Sequence, residues 1–147
     1  MATIRLPRDF SEFLRLLNSS GVDYLLVGGY AVNFYGYSRS TGNIDIWVAR
    51  NEPNAVRLTQ ALRAFGFENA TETLFTVPDQ IIRMGVPPLR IEILTSVSGV
   101  DFEECYARRA TATLDGVPLP LISFDDLKAN KMASGRLKDL ADLEALE

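Results

Sequence analysis

The chain has 147 residues, 47% of them apolar, and a net charge of −4. That is the size of one cored domain, and its charge is unlike that of a surface given over to nucleic acid, although a local basic rim stays possible. The absence of histidine excludes Ser-His-Asp chemistry and imidazole zinc sites, and it leaves the lone Cys105 with no imidazole to activate it and no partner for an internal disulfide. No apolar run reaches the length of a membrane span, so a soluble, cytoplasmic protein is expected.

From the N-terminus, "RDFSEFLRLLNSSGVD" spaces Phe10, Phe13, Leu14, Leu16 and Leu17 as a helix does, with Asp9 as its expected cap and Gly21 past its end. "YLLVGG" reads as a short buried strand stopped by paired glycines, and "YAVNFYGY" (Tyr30 to Tyr37) as a helix beginning directly after Gly28-Gly29. The loop "SRSTG" leads to a strand from Ile44 to Val48. Asn51 caps a helix with Pro53 in its first turn, an amphipathic body "AVRLTQALRAF" and Gly66 at its end. "LFTVP", "IIRMGV" and "RIEILTS" are expected as short strands, with Pro87-Pro88 turning the chain between the last two. A short helix "DFEECYARRA", a hairpin centred on Asp115-Gly116, and two closing helices follow, the first capped by Ser123 and parted from the second by Gly135. The expected architecture is one α+β domain over 1–147, with a mixed sheet, flanking helices and C-terminal helices.

Three features carry possible chemistry. Gly28-Gly29 ends a strand and can leave backbone N–H groups at a helix start, a place that attracts phosphate; a plain turn needing glycine explains it as well. Asn43 and Asp45, two apart on a strand, point to one face. Glu92 lies between Ile91 and Ile93, where a carboxylate is costly to bury alone. If its strand neighbours that of Asp45, the two acids can hold a hard divalent cation such as Mg2+, which takes carboxylate and phosphate oxygens. The other reading places Asn43, Asp45 and Glu92 on a solvated sheet face.

"LLVGGYAVNFYGYSRSTGNIDIWV" resembles the signature of polymerase-beta-type nucleotidyltransferases, in which a Gly-Gly or Gly-Ser turn precedes a strand with two acids one residue apart. The wording is closest to the small bacterial AbiEii-like group of abortive-infection and toxin–antitoxin systems. The likeness continues in "RIEILTSVSGVDFEE" and "LISFDDLKANKMASGRLKDLADLEAL". It implies a nucleotidyltransferase-like fold and a Mg2+-dependent transfer of a nucleoside monophosphate from ATP or another nucleotide triphosphate to a hydroxyl of a protein, RNA or small molecule. A toxin–antitoxin partner protein would accompany that group's biology.

By position, the resemblance implies that Gly28 and Gly29 meet the triphosphate, that Asp45 ligates Mg2+, and that Glu92 is the third acid, helping the attacking hydroxyl lose its proton. Lys131 would be the helix lysine that meets phosphate, joined by Lys138, Asp139 and Asp142 on the last helix. Asp139 and Asp142, three apart, can equally be a solvated charged face, and Lys128, Lys131 and Arg136 plain surface charge. Arg39, Lys128, Lys131, Arg136 and Lys138 together could form a basic mouth. The family's first acid is replaced here by Asn43, and Glu92 stands where aspartate is commoner. An amide brings no charge, so cation affinity should fall. The implied outcomes are an impaired enzyme, an engineered inactive form, or a non-catalytic nucleotide- or partner-binding module on the same fold.

Overall fold

The computed structural model describes residues 4–36, 42–85 and 89–146. Arg39, most of the "SRSTG" loop and the Pro87-Pro88 turn lie outside them.

Helix α1 (Arg8–Ser19) buries Phe10, Phe13, Leu14 and Leu17, the stripe its periodicity demands. Its cap is Pro7 rather than Asp9, and Asp9 sits in the first turn, where a negative charge complements the helix dipole. Strand β1 (Tyr24–Val27) is buried throughout. Helix α2 (Gly28–Phe34) begins at the glycines themselves, earlier than the aromatic run suggested, because Gly28 takes φ +69° and reverses the chain at once. Strand β2 (Asn43–Val48) follows, then α3 (Glu52–Phe65), whose cap Asn51 accepts from the backbone N–H of Asn54.

"LFTVP" is not a strand: Glu72–Phe75 forms a 3-10 turn that buries Phe75. So short an apolar run carries no period that separates strand from helix. Strands β3 (Ile81–Met84) and β4 (Arg90–Leu94) lead to α4 (Phe102–Ala107), β5 (Ala110–Leu114) and β6 (Val117–Leu121). Asp115 and Gly116 take φ +50° and +81°, the left-handed pair that a tight hairpin turn requires. Helices α5 (Phe124–Ser134) and α6 (Leu137–Leu146) close the chain, with Ser123 capping α5 and Gly135 left-handed between them.

The six strands run in the order β3-β4-β2-β1-β6-β5. The β2–β4 and β1–β6 pairs are parallel and the rest antiparallel, so the α+β mixed sheet flanked by helices is what the sequence suggested. Ile44 and Ile46 point to the face opposite Asp45 and are fully buried in a core shared with α1, β1 and α3. No helix of the described residues is long and apolar enough to cross a membrane.

Candidate active site

The parallel register of β2 and β4 sets Asp45 opposite Glu92, Asn43 opposite Arg90 and Trp47 opposite Leu94. On the other side of β2, Asp45 is the register partner of Val27, the last residue before Gly28. Three distant segments therefore meet at one spot, and a cleft of about 490 Å³ opens over it. Gly28, Gly29, Asp45, Glu92, Lys131 and Lys138 all line that cleft. Asn43 does not, although it shares the strand face of Asp45 one pleat repeat nearer the strand's start.

Gly28 is there for space as much as for its backbone angle. A Cβ on it would come within 2.0 Å of Asp45 Oδ2, so any side chain would evict the carboxylate. Helix α2 has only seven residues. Phosphate at its start would be met by free backbone N–H groups of the first turn rather than by a sizeable macrodipole.

The Asp45 and Glu92 carboxyls lie within hydrogen-bonding reach of each other. Burial first, and then the neighbouring Glu92, push the Asp45 pKa up to about 7, while Lys138 and Lys131 pull it down. Asp45 Oδ1 is buried without a hydrogen-bond partner among the described residues. A partnerless buried carboxylate oxygen beside a second carboxylate is a donor set that suits a hard divalent cation. Among the described residues no group of three or more acids, cysteines or histidines is placed to hold a metal, so the formal charge offered is that of two carboxylates.

The far wall comes from α5 and α6. Lys131 is buried, and its Nζ lies 3.1 Å from both Asp139 and Asp142. Ser134 Oγ and Arg136 Nε donate to Asp139 at 2.5 and 2.6 Å. Burial alone would raise the Asp139 carboxyl, but the hydrogen bonds from Arg136, Ser134 and Lys131 hold it well below the usual carboxylate range. Asp139 and Asp142 are thus not a solvated face, and Lys131 is not surface charge: the network clamps α6 to α5 and is already neutralised within itself. Lys128 is a surface group, paired with Asp125 at 3.8 Å and lying over the Phe124 ring. Lys138, exposed and in the lining, makes no salt bridge to a described residue and is the cation best placed to meet an incoming anion.

Sequence reasoning did not single out Arg83, whose Nε donates to Glu92 Oε1 at 3.2 Å. Its signal was the β3–β4 pairing implied by the turn between them, which makes Arg83 the register partner of Glu92. Asp79, Ser96 and Asn130, which also line the cleft, come from loops and helix positions with no motif to mark them.

Neither a family model nor a curated protein sequence matches the chain. Solved structures share its fold. An antigenic nucleotidyltransferase-like protein from Paracoccidioides brasiliensis is 19% identical, with TM-score 0.55 over 92% of this chain and 72% of that one. A Thermotoga maritima protein assigned as a nucleotidyltransferase is 13% identical, with TM-score 0.58 over 96% and 94%. The lincosamide antibiotic adenylyltransferase LnuA, in its lincomycin-bound form, is 16% identical, with TM-score 0.55 over 98% of each chain. The chain has the nucleotidyltransferase-like fold.

Proposed function

We propose that the chain is a nucleotidyltransferase that moves a nucleoside monophosphate from a nucleotide triphosphate, ATP among the candidates, to a hydroxyl of a protein, an RNA or a small molecule. One observation carries this reading: the Asp45 and Glu92 carboxyls meet beside Gly28, with Asp45 Oδ1 buried and partnerless. Asp45 and Glu92 are the residues that would hold Mg2+. Bound there, the ion would neutralise the acid pair and polarise the phosphate oxygens.

The chain's own contribution is placement. The side-chain-free Gly28-Gly29 turn admits the triphosphate close to its backbone N–H groups, and Lys138 offers a charge on the opposite wall. The acceptor oxygen attacks the α-phosphorus, the bond to the bridging oxygen breaks, and pyrophosphate leaves. Glu92 would take the acceptor's proton. The likeness to AbiEii-like proteins extends the proposal to work in the cytoplasm beside a toxin–antitoxin partner, which co-purification with the product of a neighbouring gene would test.

A second reading is a non-catalytic module that keeps the cleft to hold a nucleotide or a partner protein. Asn43 favours it, since it supplies no charge and stands opposite Arg90 rather than an acid. Incubation with Mg2+, each α-labelled triphosphate and cell extract, repeated with Asn43→Asp, separates the two. Transfer by the chain itself is expected. Transfer only by Asn43→Asp means an impaired centre, and none by either overturns the enzyme in favour of the module.

A further inference from the structure

Strand β3 is an edge of the sheet, so Arg83 is held from one side only. Its side chain is 53% exposed, against 16% for Glu92, which places the guanidinium at the cleft's mouth and the carboxylate inside. The bond from Nε to Glu92 Oε1 commits one of the five N–H donors of a guanidinium. Of the other cations of the wall, Lys131 lies between Asp139 and Asp142 and Arg136 is on Asp139, whereas Lys138 makes no salt bridge to a described acid. Among the described residues Arg83 alone is tied to an acid that would ligate the divalent ion, and both compete for the same carboxylate.

We propose that Arg83 is a positioning residue that makes cation binding depend on the triphosphate. Resting on the nucleotidyl-transfer reading, the device works in two positions. With no cation in the cleft, Arg83 balances Glu92 and keeps its carboxylate aimed at Asp45. A bare divalent cation must displace that guanidinium and then sit beside a like charge, which weakens its binding. When the ion arrives with a triphosphate, the displaced guanidinium finds phosphate oxygens in reach of its side chain, and a charge-assisted bond replaces the one it gave up. The cleft then discriminates against a metal ion without its nucleotide.

The test measures Mn2+ binding by the electron paramagnetic resonance of the free ion, with and without inorganic tripolyphosphate, which removes any dependence on the base. For Arg83→Gln the expected result is opposite movement: Mn2+ alone binds about tenfold more tightly, while the Mn2+–tripolyphosphate complex binds about tenfold more weakly, each about 1.4 kcal/mol. Arg83→Lys keeps the charge and is expected to fall between the two, and its circular dichroism together with that of Arg83→Gln checks that the edge strand is intact. A merely structural role would weaken both affinities together. That outcome, or no change in either, overturns the role of Arg83 while the binding by the unsubstituted chain leaves nucleotidyl transfer standing. Failure of the unsubstituted chain to bind Mn2+ under both conditions overturns both.

Discussion

Asp45 and Glu92 face each other directly across the parallel β2–β4 pair, although 47 positions of chain separate them. Burial makes Asp45 costly to charge, and the facing carboxylate of Glu92 adds to that cost. A fold that keeps such a pair gives up stability for it, an arrangement that clusters at functional sites. The same tension makes the proposal testable.

Replacing Asp45 with Asn should stabilise the cation-free chain and destroy cation-dependent nucleotide binding. It removes a buried like charge while keeping the shape of the side chain. Melting at neutral pH without divalent ions is expected to rise by roughly 5 °C, and Mn2+ should no longer shift it. A fall in melting temperature would show that Asp45 is a structural acid.

Gly28→Ala and Gly66→Ala form a matched pair. Both positions have positive φ, at +69° and +110°, but a Cβ at Gly66 meets nothing within 4 Å, whereas one at Gly28 strikes Asp45. The change at Gly66 should cost about 1 kcal/mol through backbone strain alone and leave triphosphate binding unaltered. The change at Gly28 should cost more and abolish binding. Equal effects of the two in isothermal titration and chemical denaturation would refute the close approach.

Lys131 and Lys138 should behave differently. Lys131→Met leaves Asp139 and Asp142 buried without their shared cation, a loss of about 3–5 kcal/mol in denaturant unfolding. Lys138→Ala, at an exposed position, should leave stability within about 0.5 kcal/mol and weaken triphosphate binding several-fold. If Lys131→Met is as stable as the parent, the clamp between α5 and α6 is not what the network does.

A pH dependence comes from the other side of α5. Arg108 makes a forked contact with Asp126, through Nε at 3.1 Å and Nη2 at 3.0 Å. The hydrogen bonds from Arg108 hold the Asp126 carboxyl below its ordinary value, against the opposing effect of burial. A lowered folded pKa contributes stability that is complete above the unfolded value near 4 and is lost as pH falls through the folded one. Asp126→Asn should therefore lower the melting temperature at pH 7 by several degrees, with the gap closing as the pH falls through the lowered folded value. A gap independent of pH would assign the loss to packing.

Much of this was legible because local rules were obeyed. Asn51 ahead of Pro53, Gly66 at a helix end, Ser123 before Asp126 and Asp115-Gly116 in a hairpin each answer to a backbone requirement within a few residues. Asp45 and Glu92 were legible for a different reason, as polar interruptions of apolar strands whose burial is costly without a partner. What stayed hidden depended on burial and on pairing at a distance. Lys131 reads as surface charge until α6 brings Asp139 and Asp142 onto it, and the role of Arg83 exists only once β3 is laid along β4. Asn43 shows the limit from the other direction: its spacing puts it on the face of Asp45, but the cleft opens beyond it.

The most direct test is a crystal of the chain with Mn2+ and a non-hydrolysable triphosphate, read by the anomalous scattering of the metal. The account predicts one manganese peak shared by the Asp45 and Glu92 carboxylates, with phosphate density against Gly28 and Gly29. Manganese bound elsewhere, or a triphosphate lying outside this cleft, would contradict it.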